Sequence, residues 1–249
     1  MPVPARQVVV PFADVREVPQ ADAPRGKMET QLVFGESFHV EGEEHGWCKG
    51  YCAHDEYRGY VHASHLAENA LATTHVVAAA RSHAYISETM KSPLVRTYSF
   101  GSKLRVVEEG EDYSRLEDGS WIYRKHLVSR ASSDKDYIAT AVKFLETPYY
   151  WGGRSGFGID CSGLVQVALA RAGIKAERDT DKQMDTIGQP GEAARRGDII
   201  FFPGHVGIMV DGTSIIHANA FHMKVAIEPL ETVAARSKGI TAIRRLQLA

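Results

Sequence analysis

From about Val8 to Leu66, apolar and polar positions alternate in short runs, QLVFGESFHVEGEE and then GWCKGYCAHDEYRGYVHASHL, broken at Gly35, Gly42, Gly46 and Gly59. Period-two alternation with frequent turn residues predicts a small β-barrel or sandwich. A second stretch, about Thr74 to Val128, repeats the grammar. FGESFHVEGEEHGWCKG is echoed by FGSKLRVVEEGEDYSRL, and GYVHASHL by SWIYRKHL. Aligning Phe34-Gly35 with Phe100-Gly101, and His65-Leu66 with His126-Leu127, gives similar internal spacing. A repeat of roughly 60 residues indicates a duplicated β-module.

After the linker RASSDK the period changes. In DYIATAVKFLE, positions 137, 138, 141, 142 and 145 are apolar and form one helix face, with Ser133 as the expected N-cap and Pro148 as the stop. A second helix is expected from Cys161 to Ala172, ended by Gly173. DIIFF, HVGIMV, SIIHA and KVAIEPL then read as consecutive strands. Helices followed by antiparallel strands make an α+β domain. The expected division is residues 1–68, 72–130 and 131–249, two small all-β barrels ahead of an α+β domain.

Composition narrows the function classes. The 249 residues are 44% hydrophobic and 24% charged, with a net charge of −2, ordinary for a globular protein with its own core. No basic stripe of the nucleic-acid-binding kind appears. No run approaches the roughly 20 apolar residues of a membrane span. The start, MPVPARQVVVPFADVREVP, has only a short apolar run, broken by Pro11, and Met1 speaks against a trimmed leader. Three cysteines, Cys48, Cys52 and Cys161, give no disulfide framework. A reducing cytoplasm is therefore the expected location, and it would protect a reactive thiol.

One thiol stands in a special setting. Cys161 lies between the glycine-rich approach YYWGGRSGFGID and a helix start, where the positive end of the helix dipole favours thiolate. Free cysteine alone reads as readily as a buried apolar residue. Gly152, Gly153, Gly156 and Gly158, however, permit tight turns where a substrate must approach. Ser162 and Gly163 offer first-turn N–H groups for an oxyanion. His205 opens HVGIMV, and His217 lies 12 residues further on. If the turn around Asp211-Gly212-Thr213 holds an odd number of residues, the two histidines share a sheet face. His205 would then serve as base and His217 would orient it.

Two groups of residues offer metal-ligand chemistry. His45, Cys48, Cys52 and His54 supply four nitrogen or sulfur ligands in a short span. The stretch alternates like a strand, which puts Cys48 and Cys52 about 13 Å apart at roughly 3.3 Å per residue. His205, His217 and His222 could also form a triad, but no acidic ligand joins them in sequence. No metal or other cofactor is expected.

YYWGG, DCSGLV, RRGDIIFF, HVGIMV and IIHA resemble the NlpC-type cysteine peptidases, a papain-like family that cleaves bacterial cell-wall peptides; the likeness covers about Asp134 to Leu248. The resemblance implies Cys161 as nucleophile, His205 as base and His217 as third polar member. It implies hydrolysis of the γ-linked D-Glu to diamino-acid bond. The upstream repeats look like the paired bacterial SH3-like domains of the branch that trims murein peptides carrying a free N-terminal L-Ala. That likeness assigns Asp160 and Ser162 to the peptide backbone and amine, Tyr149 and Trp151 to the cleft wall, and Thr180 to a position where the family commonly has Ser. It matches Tyr57 to the amine terminus and offers Glu29 as the acidic partner of that ammonium. A peptide-binding protein, or an amidase or acyltransferase using the same Cys–His site, remains as an alternative.

Overall fold

The computed structural model describes residues 3–19, 27–68 and 70–247, so Met1, on which the expectation of an untrimmed start leaned, lies outside the described residues, as does Leu248. The chain divides into two compact units, residues 1–132 with 155–157, and residues 133–154 with 158–249.

The first unit is all β. Its first module holds β1 (Ala5–Val8), β2 (Phe12–Arg16), β3 (Met28–Val33), β4 (Ser37–Glu44), β5 (Trp47–Cys52), β6 (Arg58–His62) and β7 (Leu66–Ala67), in the order β3-β2-β6-β5-β4-β1-β7. The second holds β8 (His75–Val77), β9 (Arg81–Tyr85), β10 (Leu94–Ser99), β11 (Lys103–Leu104), β12 (Val106–Glu109), β13 (Tyr113–Leu116), β14 (Trp121–Tyr123) and β15 (Leu127–Ser129). Its sheets run β10-β9-β14-β13-β12 and β11-β8-β15. The two orders coincide when β11 and β12 together stand for β4. In β4 the chain bulges between Val40 and Gly42; in the second module the corresponding strand breaks outright at Arg105. A bulge and a break both turn a long strand from one sheet into the next.

Alternation fixes each core. Val8, Ala13, Val15, Leu32, Phe38, Cys48, Cys52 and Val61 are fully buried in the first module, and Val77, Ala84, Tyr98, Leu104, Leu116 and Ile122 form the second core. Cys48 and Cys52 project to the same core as small apolar groups, and neither forms a disulfide.

The second unit is α+β, as the pattern predicts. Its sheet runs through β18 (Gln189–Pro190), β23 (Ala242–Arg245), β19 (Ile199–Phe202), β20 (His205–Met209), β21 (Ser214–Asn219) and β22 (Lys224–Pro229) in that spatial order. Four strands form the expected meander; the edge strand β18 and its neighbour β23 carry no comparable apolar run. Two-residue strands β16 (Arg154–Ser155) and β17 (Gly158–Ile159) pair in the glycine loop. Helices α1 (Tyr137–Val142) and α2 (Cys161–Arg171) pack on each other and on β20. Helices α3 (Thr180–Thr186) and α4 (Leu230–Arg236) complete the unit. Every residue of Ile199–Phe202 is buried, the mark of a central strand covered on both faces.

Two helix expectations need correction. Helix α1 starts later than Ser133 and stops at Val142: Asp136 is the cap, its carboxylate accepting the Ala139 N–H at 2.9 Å. The last apolar positions instead fold into tighter turns, Phe144 N–H to Ala141 O and Leu145 N–H to Val142 O, ahead of Glu146 at φ 66°. Helix α2 ends as expected. Gly173 at φ 79° donates to Ala170 O, and Ile174 N–H reaches Leu169 O, a Schellman closure. Among the described residues, no helix is long and apolar enough to cross a membrane.

Candidate active site

Cys161 is the first residue of α2, and Asp160 before it is the N-cap, accepting the Gly163 N–H at 2.7 Å. That bond corrects one expectation. The Gly163 N–H is consumed by the cap, and of the first-turn pair only Ser162 directs a backbone hydrogen bond to the sulfur, joined by Val206 from β20. Thr180 Oγ1, at the start of α3, lies 3.9 Å from the sulfur. Cys161 is only 9% exposed. Burial, and after it the negative charge of Asp160, pushes the thiol up to about 11. The helix start therefore does not by itself yield a resting thiolate: desolvation of the charged form outweighs the half-charge of the dipole.

The glycine loop is tied to this cap. Asp160 Oδ2 accepts the Gly152 N–H at 2.8 Å and Arg178 Nη2 at 2.6 Å, while Oδ1 accepts Arg178 Nη1 at 3.1 Å. Arg178 also donates to Ser162 Oγ at 2.8 Å, and Gln183 Nε2 donates to Ser162 O at 2.9 Å. Asp160 and Ser162 are thus a cap, a loop tie and an ion-pair partner inside the protein. A methyl group on Gly163 would stand 2.3 Å from the Gly153 carbonyl oxygen, so α2 and the loop approach through glycine alone.

The histidines come from the sheet. Ile208 pairs with Ile216 and Met209 with Ile215, and the Val210 N–H to Ser214 O bond closes a three-residue loop. The loop is odd, so His205 and His217 share a face, and His205 Nε2 lies 2.7 Å from His217 Nδ1. The Phe202 ring stacks on His205, with ring centroids 5.8 Å apart. Burial drives the His205 imidazole down to about 4 and lowers His217 as well.

One residue at this end escaped the sequence reading. Ile215 pairs with Glu228, so Glu228 lies diagonally beside His217 on the same face, and its Oε2 is 2.8 Å from His217 Nε2. Arg236 of α4 clasps both Glu228 oxygens at 3.0 and 2.8 Å. Contrary to the expectation from sequence, an acidic group does join these histidines: His222 Nε2 also lies 3.1 Å from Glu228 Oε1. A strand residue two positions beyond an inward neighbour is the signal that could have found Glu228. Arg178 had no such signal, since RDTDKQ reads as a solvated charge run.

Tyr149 is half-buried, its hydroxyl pushed up to about 12 by burial and then by Cys161 and Asp160. Trp151 is 63% exposed. Tyr57 packs against the core of the first β-module, and Glu29 is a half-buried residue of β3; both belong to the first unit, whereas Cys161, His205, His217, Asp160, Ser162, Thr180, Tyr149 and Trp151 belong to the second. Potential metal ligands do gather in the first unit, though not as the sequence grouped them. The ligand atoms of Cys52, His54 and Asp55 lie within 4.8 Å of one another, without His45 or Cys48.

Residues 146–244 match the NlpC/P60 family, and residues 21–66 match the bacterial dipeptidyl-peptidase Sh3 domain. Dipeptidyl-peptidase 6 of Lysinibacillus sphaericus is 32% identical over 45% of this chain, but the match covers only 43% of that protein's length. The γ-D-glutamyl-L-lysine dipeptidyl-peptidase of Bacillus subtilis is 27% identical over 88% of this chain and 81% of its own. The crystal structure of an NlpC/P60 family protein from Bacillus cereus superposes with a TM-score of 0.83 at 22% identity, covering 97% of this chain and 99% of that one. That likeness concerns the fold.

Proposed function

The chain carries an NlpC/P60 domain behind a bacterial dipeptidyl-peptidase Sh3 domain, and from that premise we propose that it is a cysteine endopeptidase. Its substrate is a short murein peptide with a free N-terminal L-Ala, and the bond cut joins γ-D-Glu to the diamino acid. The observation that carries this reading is a thiol at the start of α2, which packs on β20 and β21, with the imidazoles of His205 on β20 and His217 on β21 only 2.7 Å from each other. Relatives named as γ-D-glutamyl-L-lysine dipeptidyl-peptidases support the bond class.

The chemistry follows from the resting state. Because thiol and imidazole both start neutral, proton transfer accompanies attack. Cys161 Sγ adds to the γ-D-glutamyl carbonyl while its proton passes to His205. The oxyanion forms beside the Ser162 and Val206 backbone groups that already reach the sulfur. His205 then protonates the leaving amine, and the acyl-enzyme is hydrolysed by water that gives its proton to the same imidazole. L-Ala-γ-D-Glu is released. Tyr149 and Trp151 wall the cleft, and Thr180 lines it beside the sulfur. In the cell the reaction recycles murein peptides in the cytoplasm.

The test is incubation with L-Ala-γ-D-Glu-diamino-acid tripeptide and with its N-acetylated form. Cleavage of the free-amine peptide alone is expected. Equal cleavage of both sinks the amine requirement, and cleavage of neither sinks the substrate class. Cys161→Ala should abolish turnover while retaining peptide affinity.

A further inference from the structure

Beyond the cysteine and its two histidines, the second unit holds a carboxylate with four donors converging on it. Glu228 Oε2 meets His217 Nε2 at 2.8 Å and Arg236 Nη2 at 2.8 Å; Oε1 meets Arg236 Nη1 at 3.0 Å and His222 Nε2 at 3.1 Å. The Glu228 side chain is 11% exposed. The Arg236 guanidinium is itself seated 4.2 Å above the Phe221 ring, which fixes the fork in place. Such a network exceeds what a surface strand needs for stability, and it ends on the imidazole that touches the proposed base.

We infer that Glu228, clasped by Arg236, is a positioning residue that sets the tautomers of both histidines and so makes Nδ1 of His205 the basic atom. The argument is one of donors and acceptors. An ionised carboxylate only accepts, so His217 must present Nε2–H to Glu228. Its Nδ1 is then a lone pair. Across the 2.7 Å contact that lone pair accepts Nε2–H of His205. The remaining nitrogen of His205, Nδ1, is left without a proton and free to take one from a thiol. Reversing either proton reverses the whole chain and puts a hydrogen where the base must be.

One neighbour favours the reverse order. Asn219 Nδ2 lies 3.3 Å from His217 Nε2 and could donate to it. The carboxylate is closer by half an ångström and charged, and charge-assisted hydrogen bonds are about twice as strong as neutral ones. The Asn219 amide has another acceptor in Lys224 O at 3.4 Å. Arg236, first among the causes, holds Glu228 down to about 2, so the acceptor persists at any pH at which the enzyme could work.

The inference rests on the Cys–His reading but not on the peptide, and its test reads histidines and thiol directly. Nitrogen NMR of the imidazole rings in the intact chain reports which nitrogen carries hydrogen. In the wild type both His205 and His217 should be protonated at Nε2; protonation of His217 at Nδ1 overturns the inference with no variant needed. Glu228→Gln keeps the size and removes the charge, so its amide can donate as well as accept. A shift of both rings toward the Nδ1–H form is expected. At pH 7, iodoacetamide alkylation of Cys161 should slow by about a hundredfold, the low side of what a general base supplies. The two rates should converge once the thiol ionises unaided. Unchanged tautomers in Glu228→Gln, or a slowing that persists at high pH, would show a merely structural role. Failure of peptide cleavage leaves both readouts intact and bears on the substrate alone.

Discussion

Arg178 and Asp160 meet through two hydrogen bonds, 2.6 and 3.1 Å long, with side chains only 2% and 9% exposed. The pair lies directly under the first turn of α2, because the same carboxylate caps Gly163 and holds Gly152. Arg178→Met therefore strands a buried negative charge, and such breakage costs about 3–5 kcal/mol. The control is Arg196, paired with Asp136 at 3.4 Å with both side chains about half exposed. Arg196→Met should cost no more than about 1 kcal/mol. Urea denaturation of both variants decides it; equal losses would mean that burial of the Arg178 pair contributes nothing.

The thiol makes a second prediction. With Cys161 raised to about 11 and His205 lowered to about 4, thiol and imidazole are both neutral at rest. Alkylation by iodoacetamide should keep climbing between pH 8 and about 11. A preformed thiolate–imidazolium pair would instead plateau from weakly acidic pH upward, and that profile would refute the neutral pair.

What could be read in advance divides along physical lines. Cys161 at a helix start and Gly173 at its end were legible because caps act within a few residues. The shared face of His205 and His217 was legible up to one condition, the parity of the Asp211–Thr213 loop. Glu228 was not legible, because its importance depends on Arg236 arriving from a later helix and on a strand register that sequence does not state. Ser133 lost the capping role to Asp136 since either residue type caps and only the chain path decides. The local dipole points to thiolate at Cys161, whereas burial, a property of the whole unit, sets the opposite sign.

Two glycines, one in the first turn of α2 and one just past its end, separate contact from conformation. An added Cβ at Gly163 would sit 2.3 Å from the Gly153 carbonyl oxygen, a backbone atom with nowhere to go. At Gly173 it would meet nothing within 4 Å, but φ is +79°. Gly173→Ala should cost about 1–3 kcal/mol of backbone strain and leave turnover of the folded protein unchanged. Gly163→Ala should cost a similar amount through overpacking, about 1–3 kcal/mol, and in addition shift the first turn that carries Cys161. Thermal melting with a cleavage assay on the same samples separates the two; full turnover in Gly163→Ala would show that the close approach has no bearing on the thiol.

Stability should crest between about pH 6.5 and 9, and the sign of each flank follows from the shifts. Burial lowers His205 from 6.5 to about 4 in the folded protein, so between those values the unfolded chain binds the extra proton and stability falls as the pH falls. Glu228, held down to about 2 from 4.5 chiefly by Arg236, extends that loss at lower pH. On the alkaline side the order reverses. Cys161 rises from 9 to about 11, so the unfolded thiol loses its proton first and stability declines as pH rises through that window. Tyr137 and Tyr149, raised from 10 to about 12 by burial, join only above pH 10. Cys48, also raised by burial, belongs to the first unit and is untouched by a change at Cys161. The difference between wild type and Cys161→Ala from pH 9 to 10 therefore isolates the Cys161 thiol. Urea midpoints should fall less steeply there in the variant, and parallel curves would mean that the folded thiol titrates at its ordinary value.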